Sequence, residues 1–235
     1  MSLTVRLAAI AALTLSAVAS HAATVSLLTT DNGWYSTVSA HNPSNTNTIT
    51  GFYNNGEYRS FYVFSLPGLA AGETILSATL SFASANGSME GQYAQKHLGL
   101  FDYTGSINSL RTGTADSAVA FADLGSGKSY GTATLSGPTG TMPGFSVSLT
   151  NDAIADLLAF SATPNHAFAI GASLQDPFVA GRAETLWSNS GQNGFAVAAR
   201  LTLVTGQAVP EPDSIALLGA AALAFGIAAL RRKVK

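Results

Sequence analysis

The C-terminal end of the chain sets the strongest limit on what it can fold into. Residues 214–230 carry no charge and are apolar or small throughout, and Arg231, Arg232, Lys233 and Lys235 stand directly behind them. As a helix this segment rises about 25 Å, the short end of what crosses a hydrocarbon core of roughly 30 Å. The basic cluster holds its far end in the cytoplasm. The residues upstream are therefore expected outside the inner membrane, as a separate folding unit. Insertion is modest in strength, because the Leu, Ile and Phe residues of the run contribute on the order of −3 kcal/mol and the remainder is largely Ala and Gly. Ala220, Ala224 and Ala228 recur every four residues, a small face that lets another helix come close.

Val209, Pro210, Glu211 and Pro212 stand at the edge of the apolar run. A short Pro-Glu-Pro motif, one membrane helix and a terminal basic cluster, in that order, resemble the PEP-CTERM sorting signal. The resemblance implies a Gram-negative bacterium and, as partner, a membrane protease of the exosortase type. That protease would recognise Pro210, Glu211 and Pro212, remove the helix, and release or transfer the protein toward the cell surface or an exopolysaccharide matrix. A plain membrane anchor is the alternative, and it requires neither the prolines nor their position.

The other end reads as a secretory signal over residues 1–22: Arg6, an apolar run over 7–19, then Ser20 and Ala22 as small residues suited to cleavage before Ala23. The expected organisation is a signal peptide at 1–22, an exported domain at 23–208 and a sorting signal at 209–235. Between 23 and 208 there are six basic residues (Arg59, Lys96, Arg111, Lys128, Arg182, Arg200) against eleven acidic ones, a net of about −5. A mildly acidic domain with scattered cations has no electrostatic footprint for nucleic acid. Cysteine is absent, so the fold has to rest on its buried core rather than on cross-links.

Within 23–208 apolar residues recur with period two between clusters of Gly, Asn, Ser and Pro, which predicts short β-strands. Leu76, Ala78, Leu80 and Phe82 alternate with Ser77, Thr79 and Ser81; Phe145, Val147 and Leu149 alternate with serines; Phe195, Val197, Ala199, Leu201 and Leu203 form the last strand. Further strands are expected near 24–28, 34–39, 59–66, 97–103, 129–135 and 167–174. Eight or nine strands suit a mainly β, jelly-roll-like two-sheet sandwich followed by one C-terminal transmembrane helix. Thr150, Asn151 and Asp152 supply a capping oxygen for one short helix in which Ile154, Leu157 and Leu158 share a face. Residues 59–69 and 72–82, with 147–150 leading into the helix and 167–171 after it, look like the strand order of DNRLRE-type modules of bacterial surface proteins. Those modules are jelly rolls similar to carbohydrate-binding modules, and the resemblance implies that fold here.

Motifs with catalytic potential read as structural. Residues 122–129 have a relaxed phosphate-loop spacing ending in Lys128 and Ser129, but a strand is expected after them where a phosphate loop needs a helix. His41, His97 and His166 lack metal-ligand spacing, and no Gly-x-Ser-x-Gly elbow occurs. Asp152 and Asp156 read as solvated charges. Asp31, Asn32 and Gly33, and likewise Asn54, Asn55, Gly56 and Glu57, offer oxygens for calcium but read first as turns. The sequence thus points to no catalytic residue, no metal and no cofactor. Trp34, Tyr35, Tyr53 and Trp187 are the candidates for glycan contact, Trp187 because Ser188, Asn189, Ser190, Gln192 and Asn193 form a polar loop beside it. The expected function is a noncatalytic surface or matrix protein that binds exopolysaccharide. An exported hydrolase acting on that polysaccharide is the alternative.

Overall fold

The computed structural model describes residues 22–83, 87–136, 139–178, 181–188 and 199–207. The expected signal peptide at 1–22 apart from Ala22, the motif Val209 to Pro212, the helix over 214–230 and the basic tail over 231–235 lie outside the described residues. Ala23–Thr205 forms one compact unit; a second unit comprises Met1–Ala22 and Gly206–Lys235. No helix among the described residues is long and apolar enough to cross a membrane.

The compact unit is mainly β, with two curled sheets. The smaller has the strand order β1 (Ala23–Leu28), β13 (Arg200–Gln207), β5 (Glu73–Phe82), β10 (Phe145–Ser148). The larger runs β8 (Ser129–Ser136), β7 (Gln95–Asp102), β11 (Ala167–Leu174), β4 (Gly56–Ser65), β3 (Thr48–Tyr53), β12 (Glu184–Ser188), β6 (Gly87–Glu90), β9 (Gly140–Thr141), with β2 (Asp31–Ser36) also on β4. β2 takes one edge of β4 over 58–63, and the other edge is shared between β3 at 56–58 and β11 at 60–65. β1 lies antiparallel to β13, from Ala23 opposite Thr205 to Leu28 opposite Arg200. The first strand therefore begins where the last one ends.

Two apolar clusters fix this arrangement. The larger draws Tyr62, Phe64, Leu80, Leu100, Phe168, Ile170, Leu201 and Leu203 together from both sheets. The smaller gathers Tyr35, Phe61, Val63, Leu110 and Leu124 with residues of α1 (Ile107–Thr112) and α2 (Ser117–Asp123). Successive residues of β4 thus feed alternate clusters, Phe61 and Val63 one, Tyr62 and Phe64 the other, as the period-two geometry of a strand requires. Both faces of that strand are buried. Each fully enclosed side chain of this size contributes roughly 1.5–3 kcal/mol, an upper figure for an extended unfolded chain.

The strands expected near 24–28, 59–66, 97–103, 129–135 and 167–174 are present. The expected one near 34–39 lies earlier, at Asp31–Ser36, and the last runs over Arg200–Gln207, with 195–198 outside the described residues. The short helix α3 (Asn151–Ser161) is capped as its sequence indicates, the Thr150 hydroxyl accepting from the Ala153 N–H. Three corrections follow. Leu76 is 48 % exposed while Ile75 is buried, because Leu76 and Ser77 both turn outward and shift the alternation, which resumes at Ala78. Leu158 lies outward, and Ala153, Leu157 and Ser161 form the buried stripe of α3. Helices α1 and α2 join the one expected helix, capped by Ser106 and by Asp116, whose carboxylate accepts from the Ala118 and Val119 N–H groups.

Candidate functional site

The chain order places β3, β4, β12 and the segment after β11 around one recess. The β12 register sets Glu184 opposite Phe52, and the β3–β4 register sets Phe52 opposite Glu57. Asn54 and Asn55 make the tight turn between β3 and β4, both in the left-handed region at φ 46° and 63°, the pattern of a two-residue type I′ hairpin. The turn expectation is met at Asn54 and Asn55, while Gly56 and Glu57 already belong to β4. Directly beyond β11, Asp176, Pro177 and Phe178 close the recess, whose volume is about 80 Å³. Gly51, at φ +115°, lets the strands come this close, since a Cβ there would overlap the Glu184 carbonyl.

Phe52, Phe178, Leu174 and Pro177 line it together with Glu57, Asp176 and Glu184. The Phe52 and Phe178 rings touch, with centroids 3.5 Å apart, and Phe178 is 54 % exposed. Glu184 is buried. Its Oε2 meets the ammonium of Lys96, which is 0 % exposed, and its Oε1 accepts from the Gln92 and Tyr93 N–H groups. Asp176 accepts the His97 backbone N–H at 2.7 Å and lies 2.6 Å from His97 Nδ1. Glu57 Oε1 accepts from Arg59 Nε at 3.0 Å. The Tyr93 hydroxyl donates to the Pro177 carbonyl at 3.0 Å and pins the closing segment. The Glu184 and Asp176 carboxylates are thus engaged by donors of their own chain, and Glu57 lines the recess with the exposed Phe178 ring.

The sequence candidates occupy different surroundings. Tyr35 is 0 % exposed and its hydroxyl donates to the Leu110 carbonyl at 3.0 Å, with burial pushing its pKa up to about 12. It offers no face to a glycan, which corrects that candidate. Trp34 is half-buried and meets Tyr58 edge-on at 5.1 Å. Trp187 belongs to β12 rather than to a loop: it is half-buried, edge-on to Tyr53 at 5.1 Å, and its Nε1 is buried without a hydrogen-bond partner among the described residues. The polar stretch that recommended it, from Asn189 onward, lies outside the described residues. Phe52 and Phe178 were missed. The one signal for them is the run Asp176, Pro177, Phe178, a turn-former that sets an aromatic ring beside an acid.

The remaining motifs are structural. Lys128 Nζ bridges both Asp156 oxygens, at 2.7 and 2.8 Å, and the Tyr130 hydroxyl donates to Asp156 at 2.8 Å, so Asp156 ties α3 to β8. Helix α2 precedes residues 124–128 and strand β8 follows them, the reverse of a phosphate loop. Asp31, Asn32 and Gly33 open strand β2 instead of a turn, and Asp31 accepts from Arg111 Nε at 2.9 Å. His41 is buried edge-on to Phe61 at 4.9 Å. Among the described residues no three His, Asp or Glu side chains are grouped to hold a metal ion.

The family described as the PEP-CTERM protein-sorting motif matches residues 208–233. The match supports the PEP-CTERM reading of this segment, and with it the sorting of an exported protein by an exosortase, a membrane protein, through a transient anchor. The compact β unit precedes the matched segment. No curated protein matches the chain.

Proposed function

We propose that the chain is a noncatalytic surface or matrix protein. It leaves the cytoplasm on the signal at 1–22, carries a jelly-roll-like sandwich over 23–208, and loses its membrane helix to an exosortase at the 209–235 signal. The sandwich binds exopolysaccharide through the Phe52 and Phe178 recess. The observation that carries this reading is the exposed Phe178 ring, which lines a recess together with Phe52 and Glu57. A sugar's C–H face packs on such a ring while a hydroxyl donates to the Glu57 carboxylate. The two sheets closing on one apolar cluster support the jelly-roll assignment.

Glycoside hydrolysis uses one carboxyl group that hands over a proton and a second that meets the sugar or a water. Glu184 and Asp176 are each engaged by donors of their own chain, which favours binding over turnover. The test is retention of the mature protein, collected from producing cells, on those cells' own exopolysaccharide. Retention without chain shortening is the expected result. Shortening of the polysaccharide overturns the noncatalytic reading in favour of the hydrolase, and failure of retention overturns polysaccharide binding itself.

A further inference from the structure

We propose that Lys96 and Glu184 close into a side-chain amide, a covalent cross-link that the folded domain makes on itself. Lys96 is fully enclosed, its Nζ rests against Glu184 Oε2, and the Glu184 side chain is 8 % exposed. Contact with Oε2 brings Nζ beside Cδ, the carbon to be attacked. The other oxygen, Oε1, accepts from two backbone N–H groups, those of Gln92 and, at 3.1 Å, Tyr93. Gly91, at φ +133°, lays its backbone over the same carboxylate, where a Cβ would overlap Cδ and both oxygens. An amine, an acyl carbon and a pair of donors on the acyl oxygen are thus held together in a nearly dry site, the arrangement that acyl transfer needs.

In this structure the two side chains are an ion pair, and closure follows in three linked steps. One proton passes from Nζ to Oε2, which removes two charges from a site without bulk water. The freed lone pair attacks Cδ, and the displaced electron pair collects on Oε1, where the Gln92 and Tyr93 N–H groups receive it. As that pair returns, the Cδ–Oε2 bond breaks, a second proton follows from Nζ to Oε2, and water leaves. One C–N bond forms, one C–O bond breaks, and nothing is oxidised or reduced. The amide joins β7 to β12, which share no ladder: β7 pairs with β8 and β11, β12 with β3 and β6. In a chain without cysteine it closes the loop between 96 and 184, constraining the unfolded state as a disulfide would. Lys128 and Asp156 are the counter-case. The Lys128 side chain is 51 % exposed, so water keeps its ammonium charged, and among the described residues no backbone N–H donates to Asp156.

The test is peptide mass mapping of the mature protein collected from producing cells, denatured and digested with trypsin, which cuts after unmodified Lys and Arg. The expected product is residues 60–111, uncut at Lys96, joined to residues 183–200 and lighter than the two peptides together by one water. Fragmentation should place the bond between Lys96 and Glu184. Wild-type protein that yields only the separate peptides 60–96, 97–111 and 183–200 overturns the cross-link, and this result requires no variant. Lys96→Arg keeps the cation, but a guanidinium stays protonated and supplies no lone pair, so its digest is expected to contain no joined peptide. A joined peptide that survives this change overturns the assignment to Lys96. A bond found between Lys128 and Asp156 instead overturns the argument that burial and the two N–H donors select the pair.

Discussion

The ion pair between Lys96 and Glu184 gives the sharpest energetic test of the fold. Lys96 is 0 % exposed and the Glu184 side chain 8 %, so each charge has exchanged water for its partner. Breaking such a pair by removing one member costs about 3–5 kcal/mol, because the survivor is buried uncompensated. The two ends are not equivalent. Lys96→Met leaves the carboxylate with the Gln92 and Tyr93 N–H groups still donating to it, so its cost belongs near the lower figure, about 3 kcal/mol. Glu184→Leu strands an ammonium and both N–H groups, each orphan donor adding about 1 kcal/mol or more, so about 5 kcal/mol is expected. With both changes no buried charge remains, and the cost should fall well short of the sum, leaving a coupling of about 2 kcal/mol or more. Urea unfolding followed by tryptophan fluorescence measures all three, since Trp34 and Trp187 are the two tryptophans of the chain and both lie in the β unit. A cost below about 1 kcal/mol for Lys96→Met, or additive costs, would refute the argument that the pair is desolvated and coupled.

Pro210→Ala with Glu211→Ala should leave full-length protein in the inner membrane, and mass measurement of the mature C-terminus checks it: wild-type protein that retains residues 231–235 in exosortase-bearing cells would sink the cleavage. Burial holds the His41 pKa below the ordinary imidazole range, with Asp31 opposing. The unfolded chain therefore takes up a proton below about pH 6.5 that the folded one refuses. Stability should fall as pH drops from there toward the folded pKa, by up to about 1.4 kcal/mol per pH unit, and His41→Phe should flatten that slope in pH-resolved urea titrations. Trp187→Ala should cost about 2 kcal/mol, less than the 3–5 typical of a fully buried ring, with polysaccharide retention falling only as the protein unfolds. Lost retention at an unchanged Tm would return Trp187 to the binding site.

The strands that were legible in the sequence are those whose alternation survives in the sheet, such as the run at Phe145 to Ser148, and helix α3 announced itself through Thr150. Helices α1 and α2 were not legible, because six or seven residues are too few to display a periodic apolar face even though Ser106 and Asp116 cap them. β12 escaped for a different reason: it opens with Glu184 and Thr185, polar residues that read as surface, and a buried lysine from β7 makes that burial tolerable. The outward turn at Leu76 is a phase shift that alternation alone conceals. The recess draws on 51–57, 174–178 and 184, segments that meet only through strand register, and no local spacing encodes that.

The pairing of β1 with β13 has a mechanical consequence. Any load reaching the domain through its C-terminal tail enters on β13, and in the smaller sheet that strand has hydrogen-bonded neighbours on both sides, β1 and β5. Tension directed along the strand therefore loads two ladders at once in shear, where many bonds must yield together, instead of unzipping them one after another from an edge. β1, with one neighbour among the described residues, has no second ladder to share such a load. A protein held by the tail against flow or against the pull of a matrix would thus be gripped by an interior strand.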